Sequence, residues 1–253
     1  MPTAVVLGSG TSNGVPMLGV KYPPEYLAEP KNHRTRASII LLGDGANFLV
    51  DCAPELRLQM TREGLYEIDG VLITHTHADH VMGMDDLRSI CIRTRRPMPV
   101  YAYEQYQADI KRIFPYAFME FPPGVEVPRF HLADVPDEME IGGMRIQFME
   151  VRHGKIPVTS LRVNDFAYVT DVSEIPSSAW GKLQGLETLV LDAVRYEPHP
   201  NHFHFARALE VVQELRPKQA YFTHLSHDYD HYKTSAELPA GVALAYDGLR
   251  IEF

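Results

Sequence analysis

Four side chains that commonly bind metals stand within six residues of one another, at positions 75–80. They are His75, His77, Asp79 and His80, and they follow a short apolar run at residues 70–74. Residues two apart on an extended segment point to the same side, so His75 and His77 can bind one ion together. Asp79 and His80 are then offset and can serve a second ion. Because imidazole and carboxylate are ligands of catalytic zinc and also suit manganese and iron, the pattern predicts a metal-dependent catalytic site.

This His-x-His-x-Asp-His spacing resembles the signature of the metallo-β-lactamase superfamily, and the resemblance extends along nearly the whole chain. His153, Asp171 and His224 match the remaining ligands of that family in the expected order. Each alone would be an ordinary surface or turn residue, but each ends or follows an apolar run, and the ordered set is complete. The resemblance implies an α/β fold, the four-layer αββα sandwich.

The resemblance also implies how the ligands divide between two divalent ions, either zinc or manganese. The first ion is assigned to His75, His77 and His153, the second to Asp79, His80 and His224, and Asp171 bridges both. Asp79 is also expected to be catalytic, and Asp51 is similar to a structural aspartate of the family. Two ions about 3.5–4 Å apart lower the pKa of a bridging water and hold the oxygens of a displacement, which is the chemistry of a phosphodiesterase.

Four further segments resemble one branch of the superfamily, the cyclic phosphodiesterase of bacterial phosphonate breakdown, which is a cousin of ribonuclease Z. They are residues 7–16, 83–88, 170–173 and 246–248. In that branch a histidine protonates the leaving oxygen, and His202 takes that place here. Histidine has an ordinary pKa near 6.5, which suits proton donation at neutral pH. His199 and His204 are close alternatives.

The chain departs from this branch in residues 19–24, which contain no cysteine where the related enzyme holds a structural zinc. His227 matches the last ligand of that site but lacks partners, so we expect no structural zinc. The long arm with which ribonuclease Z holds tRNA is also missing between His80 and His153. Four arginines at residues 88–96 are interpreted as a solvated helix end, although a phosphate or RNA contact is an alternative. Lys155 could meet a substrate phosphate or be an ordinary surface lysine.

The elements that must position these residues alternate in type along the chain. Strands are predicted at residues 4–7, 38–42, 47–51, 70–74, 99–102, 141–151, 160–170, 187–192 and 219–224, with a hairpin turn at 164–165. Helices are predicted at residues 54–63, 103–114, 178–183 and 205–215, and a loop at 121–128. The glycine-rich loop at residues 8–14 has no following amphipathic helix and no P-loop lysine, which argues against a nucleotide cradle. Because the ligands must converge on one cleft, residues 1–253 are predicted to form one domain.

Composition narrows the function further. The 253 residues carry 24 Lys+Arg against 33 Asp+Glu, a net charge of −9, which counts against a sequence-independent RNA binder but not against a phosphate substrate once metals are bound. Cys52 and Cys91 cannot make a disulfide framework. With no signal peptide and no apolar run long enough to span a membrane, we expect a cytoplasmic protein without membrane contact. A homodimer is an expectation by analogy only.

The sequence therefore predicts a hydrolase that uses two metal ions, a bridging hydroxide and a histidine acid to cleave small ribose or nucleotide phosphodiesters, cyclic ones among them. The same metal pair supports hydrolysis of a carboxylic ester, thioester or lactone, and a tRNA or RNA nuclease is a further alternative. A metal-binding protein without catalysis is disfavoured because the ligand set and a candidate acid are both present.

Overall fold

A computed structural model describes residues 1–253, and its strands form two seven-stranded sheets. The first sheet contains β1 (Thr3–Gly8), β2 (Ser38–Leu42), β3 (Asn47–Val50), β4 (Gly70–Leu72), β5 (Met98–Tyr101), β6 (Phe130–Ala133) and β14 (Arg250–Glu252), in the order β14-β1-β2-β3-β4-β5-β6. The second contains β7 (Glu138–Ile141), β8 (Met144–His153), β9 (Ile156–Val163), β10 (Phe166–Val169), β11 (Thr188–Asp192), β12 (Gln219–Thr223) and β13 (Val242–Leu244), in the order β13-β12-β11-β10-β9-β8-β7.

Helices cover the outer faces of both sheets. They are α1 (Pro24–Ala28), α2 (Leu56–Arg62), α3 (Ala78–Val81), α4 (Arg88–Thr94), α5 (Glu104–Ile113), α6 (Ser177–Trp180), α7 (Phe205–Leu215) and α8 (His231–Glu237), with short 3₁₀ turns at Pro30–Asn32, Met82–Leu87, Pro115–Phe118 and Gly181–Leu183. None of the helices combines the length and the apolar character that crossing a membrane requires.

The core has three apolar layers, because side chains alternate between the two faces of each strand. In β1, Val5 and Leu7 face helices α2, α4 and α5, whereas Ala4 and Val6 face the other sheet. A third layer lies between the second sheet and helices α6 and α7. These layers confirm the predicted four-layer αββα sandwich. The prediction of a single domain over residues 1–253 stays a prediction.

Several predicted element bounds need correction. The strand expected at residues 141–151 is two strands, β7 and β8, because Gly142 and Gly143 both adopt positive φ angles and reverse the chain. The strand expected from residue 160 already begins at Ile156, and the hairpin turn at Asn164 is confirmed. The helix expected at 54–63 is shorter, Leu56–Arg62. The loop at residues 121–128 is confirmed.

Candidate metal centre

The candidate ligands converge because they lie at one edge of both sheets. β3 and β4 run parallel, as do β10, β11 and β12, so their carboxyl ends meet at that edge. Asp51 and His224 each follow a strand directly and Asp171 follows one after Thr170, and their φ angles are +65°, +58° and +51° respectively. A non-glycine residue in this left-handed region costs on the order of 1–3 kcal/mol, and such strain is concentrated at functional sites. After these turns Asp51 and Asp171 lie 2.7 Å and 3.3 Å from His80, and His224 lies 3.4 Å from Asp171.

The residues predicted to bind a first ion lie together. The ligand atoms of His75, His77 and His153 are all within 4.8 Å of one another. His75 Nε2 lies 2.9 Å from His77 Nδ1, and the rings of His77 and His153 are centred 5.1 Å apart. Three imidazoles whose nitrogens point at one spot are the donor set of a zinc-type site.

The residues predicted to bind a second ion form an adjacent group, in which the ligand atoms of Asp79, His80 and His224 are again within 4.8 Å. Asp171 Oδ2 lies 3.3 Å from His80 Nε2, and Asp171 Oδ1 lies 3.4 Å from His224 Nε2. Because Asp171 also groups with His75 and His80, its carboxylate reaches both clusters, as the bridging assignment requires.

The orientation of the ligands is fixed by hydrogen bonds on their far sides. Asp51 Oδ2 lies 2.7 Å from His80 Nδ1, and Asp51 is itself held by the backbone and hydroxyl of Thr74. The backbone oxygen of Asn201 lies 2.7 Å from His153 Nδ1. Such contacts fix the ring tautomer and leave Nε2 free for a metal. The Nε2 atoms of His80 and His224 are buried without a hydrogen-bond partner, which a bound cation would provide.

The charges of the site also suit cations. Burial opposes ionisation of Asp171, yet the imidazoles of His224 and His80 hold its pKa well below the usual range. In turn, although burial opposes it, the nearby carboxylates led by Asp171 raise the pKa of His224 to about 9. Burial instead lowers the pKa of His153 to about 4 and holds that of His75 well below its usual value. The carboxylates beside His80 and His224 therefore attract cations. His75 and His153 are neutral imidazoles, the form that binds metals.

Of the three candidates for the general acid, His202 lies closest to both clusters. Its ring is centred 4.4 Å from that of His153 and 4.8 Å from that of His224. His202 Nδ1 lies 2.8 Å from Asp192 Oδ2 and 3.9 Å from Asp171 Oδ1.

The two alternatives are placed differently. The ring of His199 is centred 4.8 Å from that of His202, and its Nδ1 accepts a hydrogen bond from the backbone of Asn201. His204 immediately precedes α7, outside the groups of candidate ligands.

Asp192 and Asn201 are the residues that sequence reasoning missed. The sequence pattern predicts only that Asp192 ends a strand. An aspartate at the end of a buried strand, on the sheet edge where the candidate ligands lie, is nevertheless a feature that indicates a functional role. Asn201 acts through its backbone oxygen, so its side chain carries no signal at all.

Other features of interest lie apart from the clusters. Arg88 and Arg93 pair with Asp85 and Glu67. A mainly apolar cavity of about 370 Å³ lies on the outer helical layer, between α2 and α4. In the segment without cysteines, Tyr22 stacks on Tyr26, and its ring is centred 6.4 Å from that of His227. The expectation of no structural zinc there stays a prediction.

The family model described as the beta-lactamase superfamily domain matches residues 46–225, which include all seven candidate ligands. The chain belongs to the metallo-β-lactamase superfamily. A solved structure described as a new diphosphatase from the PhnP family is similar over 100% of this chain and 98% of its own, with 36% identity and a TM-score of 0.91. The short form of human tRNase Z, 17% identical with a TM-score of 0.72 over 99% of this chain and 98% of its own, shows the shared fold.

Two curated relatives bear different names. A Porphyromonas gingivalis protein named octanoyltransferase is 32% identical over 251 residues, which are 97% of this chain and 50% of that protein. Ribonuclease Z of Methanopyrus kandleri is 28% identical over 142 residues, 54% of this chain and 46% of that enzyme. The chain thus spans about half the length of these relatives. The predictions of a metallo-β-lactamase superfamily member, a hydrolase and a superfamily fold that implies divalent metal use are confirmed.

Proposed function

We propose that this chain hydrolyses small phosphodiesters, cyclic ribose or nucleotide phosphates among them, with two divalent cations and His202 as general acid. The observation that carries the proposal is the position of His202, held by Asp192 beside both ligand clusters. Cleavage of a P–O bond releases an alkoxide, which is a poor leaving group unless a positioned acid protonates it. Similarity to a diphosphatase and to ribonucleases Z supports phosphoryl chemistry.

The seven candidate ligands fit two cations, zinc or manganese. His75, His77 and His153 would hold one, Asp79, His80 and His224 the other, and Asp171 both. When bound, such cations supply Lewis acidity to the phosphoryl oxygens and lower the pKa of water.

The chain's own residues supply the proton for the leaving oxygen and orient the attacking water. Because His202 Nδ1 donates to Asp192, the proton available for transfer is on Nε2, and the Asp192 carboxylate fixes the orientation of the ring. The proton passes from Nε2 to the leaving oxygen. Asp79 accepts a hydrogen bond from the attacking water and orients it. Asp51 is a positioning residue, because its carboxylate fixes the orientation of the His80 ring.

The expected partner is a small phosphorylated molecule. An RNA substrate is disfavoured because the net charge is −9 and two of the arginines at residues 88–96 are already paired with carboxylates. A cytoplasmic location, no contact with a membrane and a homodimer remain part of the proposal.

A second candidate function is hydrolysis of an acyl ester, a thioester or a lactone. It is favoured by a curated relative named octanoyltransferase, which matches 97% of this chain over 50% of its own length. An acyl chain needs an apolar wall beside the reacting carbonyl, whereas the apolar cavity of about 370 Å³ lies on the outer helical layer. The position of that cavity favours the phosphodiester.

The two functions are separated by assaying the metal-loaded protein on bis-p-nitrophenyl phosphate, 2′,3′-cyclic AMP, an octanoyl thioester and a lactone. We expect turnover of both phosphodiesters and a lower kcat/KM, by tenfold or more, on the acyl substrates. Activity confined to the thioester and the lactone would reject phosphodiester hydrolysis in favour of the second candidate.

A further inference from the structure

Three arginines line one groove that lies away from the candidate metal ligands. Arg95, Arg96 and Arg129 line a cavity of about 270 Å³. Arg95 and Arg96 lie just before β5, from which Pro97 separates them, and Arg129 directly precedes β6, which is parallel to β5. Because the candidate ligands follow the carboxyl ends of the strands, the groove lies at the opposite end of the first sheet.

These guanidinium groups differ from most others in the chain because no carboxylate neutralises them. Ten arginines form ion pairs: Arg36, Arg62, Arg88, Arg93, Arg112, Arg145, Arg152, Arg162, Arg207 and Arg250. Arg95, Arg96 and Arg129 are outside this set, although acidic residues outnumber basic ones by 33 to 24 and Glu126 lines the same groove. All three arginines are exposed and line the same groove, so the positive potential there favours a bound anion.

The backbone holds the two sides of the groove in a fixed relation. The backbone oxygen of Arg129 accepts a hydrogen bond of 2.8 Å from the backbone of Met98 and one of 3.4 Å from Cys91 Sγ. The segment that carries Arg95 and Arg96 is therefore tied to the segment that carries Arg129. The backbone of both segments is thus held in place without a ligand, so binding orders mainly the exposed arginine side chains.

The lining indicates the class of ligand. Guanidinium forks match the oxygens of a phosphate, and a phosphate supplies negative charge to a groove that has three arginines against one carboxylate, Glu126. The remaining wall is largely apolar, formed by Ile92, Val125 and Val127 among others. A cavity of about 270 Å³ is near the lower limit of small-molecule sites, which begin at about 300 Å³. It suits one phosphate with a compact organic body rather than an extended polymer.

We propose that this groove is a second, non-catalytic site that binds a small organic phosphate of the nucleoside monophosphate type. The phosphate contacts Arg95, Arg96 and Arg129, and the organic part packs against Ile92, Val125 and Val127. The proposal is independent of the proposed function, because the groove shares no residue with the candidate metal centre.

The test uses AMP, which is neither a phosphodiester nor an anhydride, titrated calorimetrically into metal-loaded protein at 50 mM salt. The variant Arg95→Gln/Arg96→Gln/Arg129→Gln is compared with Arg112→Gln/Arg145→Gln/Arg207→Gln, which removes the same charge from exposed, ion-paired positions. We expect AMP binding that the groove variant weakens at least tenfold and the control variant leaves within twofold. AMP should also slow hydrogen exchange at residues 91–97 and 125–129 in the wild type but not in the groove variant.

Other outcomes overturn the proposal. Equal weakening in both variants would mean a bulk charge effect, and unchanged binding in the groove variant would place AMP at the histidines instead. Equal affinity for AMP and inorganic phosphate would show that the apolar wall does not contribute to binding. A short single-stranded RNA that bound tenfold more tightly than AMP through the same arginines would make the groove a nucleic-acid contact. Thermal unfolding of both variants verifies that they are folded.

Discussion

The backbone oxygen of Asn201 lies 2.7 Å from Nδ1 of His153. Asn201 immediately precedes His202, so the ring of one candidate ligand and the candidate general acid are held by adjacent residues of one loop. The same loop packs on Gly154, whose missing side chain leaves the room that the side chain of Asn201 fills. A shift of this loop would therefore disturb the metal ligand and the acid together.

The first prediction concerns the substitution Gly154→Ala. The φ angle of Gly154 is +61°, and a Cβ atom there would overlap the side chain of Asn201. We expect a loss of about 1–2 kcal/mol in the free energy of unfolding and a fall of roughly tenfold or more in kcat/KM, because small displacements of catalytic groups are costly. Denaturant unfolding and phosphodiesterase assays measure the two effects.

The matched control is Gly185→Ala. Gly185 has a φ angle of +70°, but a Cβ atom there meets nothing within 4 Å. It should show a similar loss of stability with unchanged kcat/KM. If both alanine variants retain full activity, the Gly154–Asn201 contact does not position His202.

The second prediction separates the acid from the ligands. His202→Ala should lower kcat by about 10²–10⁴-fold on a diester with a poor alkoxide leaving group, and far less on p-nitrophenyl esters, whose leaving group needs little protonation. The metal content should stay at that of the wild type. His204→Ala, from outside the clusters, should change neither rate. An equal loss on good and poor leaving groups would reject His202 as the proton donor.

The sequence was sufficient to predict that the candidate ligands lie together, because their spacing is local. His75, His77, Asp79 and His80 are close in the chain, and Asp171 and His224 stand within two residues of the ends of buried apolar strands. Side chains at the carboxyl ends of parallel strands must meet, so their convergence could be predicted without coordinates.

The features of the fold and the site that could not be predicted from the sequence depend mainly on contacts between distant segments. The pairing of Asp192 with His202 joins a strand end to a loop, and the role of Asn201 belongs to a backbone oxygen. The strands β13 and β14 have three residues each, too few to show a period of two. Gly142 and Gly143 lie inside a run that otherwise alternates like one strand, so the turn was missed.

The third prediction tests the proposed bridging role of Asp171. If two ions bind as proposed, Asp171→Asn should lower the bound metal to one ion or none, and kcat by at least 100-fold, because a neutral amide neither bridges cations nor balances their charge. Asparagine tolerates the φ angle of +51° at this position, so the backbone should be retained. Mass spectrometry of bound metal and kinetic assays measure these effects. Asp165→Asn, in an exposed turn, is the control, and a variant that kept two ions and full activity would show that Asp171 does not bridge.

The last prediction concerns acid stability and uses His231, which is buried at the start of α8. Burial, reinforced by the positive charges of Arg34 and Lys31, lowers the pKa of His231 to about 4. The unfolded chain, with a pKa near 6.5, therefore binds more protons than the folded chain between these two values. The free energy of unfolding should fall as the pH drops through this window, by on the order of 1–3 kcal/mol from this residue alone.

The comparison variant is His231→Gln, which cannot titrate in this range. Its free energy of unfolding should depend less steeply on pH than that of the wild type between about pH 6.5 and 4, and the two curves should run parallel above pH 7. His131→Gln, at an exposed position in β6, should follow the wild-type curve throughout. Since the candidate ligands titrate identically in all three proteins, the difference between the curves isolates His231. Equal slopes for His231→Gln and the wild type would show that the buried imidazole gains no charge on unfolding.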